Sequence, residues 1–418
     1  IMTDIQFSYS VKWIQEDNLH WENRMSRYST NSEFFVSRTL ELYSIAFVLL
    51  ISAFLACNFI RLIKNDFSRY MKNVDKRNDY HDDNENKDFG WKLIQRDVFR
   101  SPNCPIILCS LVGAGNHLLF TTFCLFGLAF CHGINPWINR RGSILLAVVM
   151  VYSLSSLFGS YTSVKLYRKL RGKSFFRCIL MTTFLFPLTL LVVVMCTNLI
   201  ALAYKSTAAV SCTKTIPTVI AVFGFFGIPL TMLGGMLGAW TRVQNHKIQG
   251  LSETQGTTEV TQQIHQKKMP FYRTKIFQYL LCGFLPFPII YIELHSLLDS
   301  MWSYQSYTSF TMLFFAFTLL ILVTSIITVS LLYFQLAQDN HCWWWTSFLH
   351  GGMIGVVIYI YSFIYFHQYT YMKGALQISF YFGYMGIISF AVFLMLGSVS
   401  FQFSHFFVQY LYRQVKCD

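Results

Sequence analysis

The feature that most constrains this chain is a series of apolar blocks, each long enough to cross a lipid bilayer and separated by polar stretches that hold most of the charge. A run of about 20 apolar residues spans the roughly 30 Å hydrocarbon core as a helix. In lipid the backbone finds no water, so such a segment must close its own hydrogen bonds. Nine blocks are legible: 42–63, 106–131, 143–164, 178–204, 216–240, 276–298, 309–335, 346–368 and 378–410. They predict an all-α polytopic membrane protein with nine transmembrane helices. The last block is too long for one straight crossing, so it is expected to tilt or to run on beyond the membrane.

Composition agrees with this class. Only 13% of residues are charged, where soluble domains carry about 25%. The net charge of +13 points first to nucleic acid or acidic lipid. The basic residues, however, stand beside the spans, where they set topology. With the first long loop cytosolic, 24 of the 33 Lys and Arg residues fall on the cytosolic side. Six of them, Lys165, Arg168, Lys169, Arg171, Lys173 and Arg177, form one loop without an acidic residue. An odd span count then sets the tails on opposite sides, the N-terminus lumenal and the C-terminus cytosolic. The expected cytosolic loops are 64–105, 164–177 and 241–275, and nucleic acid is not an expected partner. Trp343, Trp344 and Trp345 are expected at the headgroup level, as belts of indole rings usually are.

Residues 1–41 read differently. Ile5, Phe7, Tyr9, Val11 and Trp13 alternate with polar residues, as in a half-buried strand. One strand has nothing to pack against, so this stretch is expected to be the C-terminal remnant of a larger lumenal β domain. The transmembrane domain then covers 42–410, and 411–418 form a tail.

Few residues are suited to chemistry. Glu293 lies in a span, followed by His295 and preceded by Tyr291. A carboxylate at bilayer depth costs about 2.5–3.5 kcal/mol on insertion scales. It therefore reads either as a proton or substrate site or as an interfacial residue near the end of its span. Asn116 and His117 fall in the middle of the second span, where interhelical hydrogen bonds account for polar side chains. Pro187, Pro229, Pro286 and Pro288 interrupt spans and can kink them. Gly234, Gly235 and Gly238 in the fifth span, and Gly351, Gly352 and Gly355 in the eighth, form small faces for helix packing or for binding a client helix. The eleven cysteines lack zinc spacing; Cys131 and Cys212 are a candidate pair. No motif of a hydrolase, ATPase or kinase is present, so neither an enzyme nor a metal or other cofactor is expected.

Several stretches together resemble the nonaspanin (transmembrane nine) superfamily. They are Tyr9-Ser10-Val11-Lys12-Trp13, Gly90-Trp91-Lys92, Asp97-Val98-Phe99-Arg100, Leu285-Pro286-Phe287, Ile292-Glu293-Leu294, Trp343-Trp344-Trp345-x-Ser347-Phe348 and Tyr381-Phe382-Gly383-Tyr384. The resemblance implies nine spans behind a large lumenal domain, here N-terminally truncated. It implies Golgi and endosomal membranes, and a role in sorting or surface delivery of other membrane proteins, especially those with glycine-rich transmembrane helices. It also implies that Lys416 and Asp418, in Lys416-Cys417-Asp418, form a terminal signal for the COPI coat. A transporter or channel built on the Glu293 region is the alternative.

Overall fold

A computed structural model describes residues 10–12, scattered positions between 43 and 68, and residues 98–131, 141–172, 174–205, 215–241, 274–302, 310–337 and 342–413. Most of the expected strand and of the loops 64–105 and 241–275 lies outside the described residues, as do Cys212, Lys416 and Asp418. Among the described residues every regular element is a helix.

In chain order the helices are α1 (Leu49–Asn58), α2 (Pro105–Phe130), α3 (Arg141–Lys169), α4 (Phe175–Ala203), α5 (Thr215–Val222), α6 (Ile228–Trp240), α7 (Lys275–Phe284), α8 (Phe287–Trp302), α9 (Phe310–Leu336), α10 (Trp343–Tyr369) and α11 (Ala375–Arg413). A π-helical turn, Phe223–Gly227, joins α5 to α6 into one span. Seven spans are long and apolar enough to cross a membrane alone. The eighth is the pair α7–α8, bent by 51°. The expected first span is described only in part, as α1.

The prolines act unequally. Pro187 lies within a continuous α4. Pro229 stands just after the π turn, and its missing N–H leaves a carbonyl one turn back without a helical donor. Pro286 stands in the break between α7 and α8, and Pro288 in the first turn after it. Without those two donors the helix cannot run straight through. The 39-residue α11 exceeds one perpendicular crossing, as expected.

At the centre, α2, α9, α10 and α11 enclose an apolar core around Leu108, Val112, Phe348, Leu394 and Phe401. Lipid tails are as apolar as these side chains, so close packing and interhelical hydrogen bonds hold the bundle. Small residues allow that closeness. A Cβ built on Gly113 would lie 2.5 Å from Ser163 Cβ, and one on Gly159 2.5 Å from His117 Cβ, so α2 and α3 are in backbone contact. Ser163 adds a hydrogen bond to Cys109 O (2.9 Å) and shares one with Thr182 of α4 (2.9 Å). Ser156 donates to Gly227 O in the π turn at 3.3 Å, which ties the fifth span to α3.

The three tryptophans stand at the start of α10, at a span end, and two of them pack against the protein. Trp343 is fully buried and Trp344 nearly so. Trp343 donates to Val98 O (2.9 Å) and Trp345 to Asn103 O (2.9 Å). These indoles lock the segment ahead of α2 onto the start of α10, because a buried N–H needs an acceptor and that chain offers its carbonyls.

Candidate functional site: a polar cluster beside a broken helix

The bend at Pro286 turns α8 against α9 and α10. Tyr291, His295 and Asp299 follow at intervals of four, so they share one face of α8. From α10, Tyr361, Tyr365 and Tyr369 do the same. His295 Nδ1 and the Tyr361 hydroxyl are 2.9 Å apart, and the Tyr365 hydroxyl donates to Asp299 Oδ1. His295 Nε2 stands 3.7 Å from Asp299 Oδ2, an ion-pair distance but longer than a hydrogen bond. Around these polar atoms the rings interlock. The centroid separations are 5.3 Å for Tyr291 and Tyr361, 5.4 Å for His295 and Tyr365, and 4.9 Å for His295 and Tyr369.

Beyond His295 the cluster opens into a cavity of about 260 Å³, lined by His295, Asp299, Trp302, Tyr365 and Tyr369 and by residues 370–372. It lies where α8 and α10 end and α11 begins. Glu293 is buried, at 6% exposure, but two positions from His295 it projects from a different side of α8 and does not line the cavity.

Of the candidate polar residues, Tyr291 and His295 come together, while Asn116 and His117 lie in a separate network. Asn116 donates to Thr162 of α3 (3.2 Å) and accepts from Gln402 of α11. His117 donates through Nε2 to Tyr152 O at 2.7 Å, and Thr121 shares a 2.6 Å bond with Ser155. These contacts fasten α2 to α3 and α11.

Both glycine sets point inward. A Cβ on Gly234 would enter the backbone of Leu157, and one on Gly238 would lie 2.7 Å from Tyr161 O, both in α3. A Cβ on Gly235 would meet Ile179 of α4. In α10, Gly351 abuts Ser400 and Leu396 of α11; a Cβ on Gly352 would lie 2.6 Å from the Phe393 ring, and one on Gly355 2.5 Å from Ser389 O.

Asp299, Tyr361, Tyr365 and Tyr369 were not among the sequence candidates. Their signal was present: an acid four residues after His295, and three tyrosines at helical spacing in the eighth span. Among the described residues no group of three or more His, Cys, Asp or Glu side chains is placed to hold a metal.

Comparison with known proteins gives one consistent answer. The profile of the Endomembrane protein 70 family matches residues 1–375. The chain is 36% identical to transmembrane 9 superfamily member 4 of Arabidopsis thaliana, over 99% of this chain and 68% of that protein. It is 38% identical to member 2 of the same plant, with the same coverage. With member 1 of Pongo abelii it shares 32% identity, over 98% of this chain and 67% of that protein. No solved structure gives a significant match. The family is one of membrane proteins and not a known enzyme family. With the family profile covering most of its length, and relatives aligned over nearly all of this chain, which folds as a helical bundle built for lipid, the chain belongs to the Endomembrane protein 70, or transmembrane 9, family.

Proposed function

We propose that the protein assists the sorting, localisation or surface delivery of other membrane proteins in Golgi and endosomal membranes, by engaging glycine-rich transmembrane helices. The observation that carries this reading is the fifth span, α5–α6, which is the least covered of the candidate spans. Gly234, Gly235 and Gly238 of this span are turned onto α3 and α4. Its other face carries Phe225 at 75% exposure, Met236 at 59% and Leu233 at 53%. Large side chains projecting from a helix fit the shallow surface of a glycine-lined partner, where backbones approach closely. Small residues thus close the bundle internally, while large ones face outward to meet a client. Lys416 and Asp418 supply the COPI signal in this reading, and the tail keeps the protein in the Golgi.

Two measurements test it. A Lys416→Ala, Asp418→Ala variant should leave the Golgi and lose coat binding; unchanged residence defeats the retention part. A photo-reactive residue at Phe225 should crosslink to a single-span reporter with a glycine-rich helix, but not to the same reporter with leucines in place of glycines. Equal crosslinking of both counts against recognition by this face.

A second reading, transport through the α7–α8 region, is favoured by the 51° break beside buried Glu293, since transporters place sites at interrupted helices. Reconstituted protein should then carry an ion or solute flux that falls in Glu293→Gln. Proteoliposomes with no flux above empty vesicles would reject this reading.

A further inference from the structure

The cavity at the end of α8 and α10 has a chemical character that neither sorting nor transport requires. Its walls are aromatic: Tyr365 and Tyr369 stack 5.3 Å apart, and Trp302 lies 5.0 Å from Tyr381, which holds it in place. Its one carboxylate is Asp299, 20% exposed. Tyr365 fixes one Asp299 oxygen; the other stands 3.7 Å from His295 Nε2, beyond hydrogen-bond distance, and Asp299 lines the cavity. No Lys or Arg is among the described lining residues; Lys373, one position past Met372, is exposed outside them.

An aromatic box with a single counter-ion selects a particular ligand class. Ring faces carry negative potential and attract cations, most effectively large and weakly hydrated ones. A hard divalent ion needs about six or more oxygen ligands, which one carboxylate among rings does not supply. The volume of about 260 Å³ is a little below the roughly 300–1,000 Å³ of drug-sized pockets, so a small head group fits better than an elongated solute. We propose that this pocket binds a quaternary ammonium group, with Asp299 as counter-ion and Trp302, Tyr365 and Tyr369 as walls. Two sources present that chemistry at the end of a membrane bundle: the head group of a choline lipid, and free choline.

The experiment uses the full chain in nanodiscs of phosphatidylglycerol or of phosphatidylcholine, titrated with choline chloride against sodium chloride at equal ionic strength. Choline binds in phosphatidylglycerol discs. Asp299→Asn weakens that binding about tenfold or more, because a hydrogen bond or ion pair to a charged group contributes that much. Tyr369→Leu weakens it as well, while Tyr369→Phe keeps the ring face and retains it. Should Asp299→Asn fail to fold, the Tyr369 pair, at an exposed position, decides alone. Choline binding that disappears in phosphatidylcholine discs identifies the lipid head group as occupant; binding that persists identifies the free cation. The proposal is overturned by no choline binding in phosphatidylglycerol discs, or by equal binding in wild type, Asp299→Asn and Tyr369→Leu. Neither result bears on the sorting reading, whose surface is α5–α6.

Discussion

At the scale of single residues, glycine behaves in two ways, and the difference is measurable. Gly355 faces Ser389 O and the Phe393 backbone, so a methyl group there must push α10 from α11. Gly355→Ala should cost about 1–3 kcal/mol, in line with other overpacked cores. Gly127 has nothing within reach of an added Cβ, and Gly127→Ala should be neutral or slightly stabilising, because alanine loses less backbone entropy. Thermal unfolding of the two variants in one detergent checks the contrast; similar melting points would mean that α10 and α11 are not in backbone contact. Asn116→Leu removes one bond to Thr162 and one from Gln402. Interhelical bonds average about 0.6 kcal/mol, with a maximum near 1.7, so a modest fall in melting temperature is expected. Spacing in the sequence showed that these residues form small or polar faces. It did not show which helix each face meets, because several near-identical apolar helices can satisfy the same stripe and only the tertiary arrangement chooses. For the same reason the spacing of Tyr361, Tyr365 and Tyr369 did not show that they face Tyr291, His295 and Asp299 of α8.

At the scale of elements, hydropathy located the spans closely: the expected 106–131, 216–240 and 309–335 match α2, α5–α6 and α9 within about two residues. The prolines marked where the fifth and sixth spans depart from a straight helix, though not how. The sixth span is two helices at 51°, since Pro286 and Pro288 withhold two donors within one turn. The fifth contains a π turn, Phe223–Gly227, just ahead of Pro229; such turns recur at functional sites. Replacing Pro286 and Pro288 with alanine restores both N–H groups and should open the bend. Spin labels at the exposed positions 276 and 301 should then move apart; an unchanged distance would assign the bend to packing against α9 and α10 instead.

At the scale of the whole molecule, the arrangement separates two tasks. Glycines and serines knit α2, α3, α6, α10 and α11 from within, while bulky side chains of α5–α6 are left facing outward. That division gives the sorting proposal its physical content: the protein keeps its own fold closed and offers a different surface to other helices. The measurement that tests this most directly is the surface level of a single-span reporter with a glycine-rich helix, in cells lacking the protein and complemented with wild type or with Phe225→Ala, Leu233→Ala, Met236→Ala. The account predicts that wild type restores delivery and the triple variant does not, although the variant reaches the Golgi and melts like wild type. Full restoration by the triple variant would contradict it.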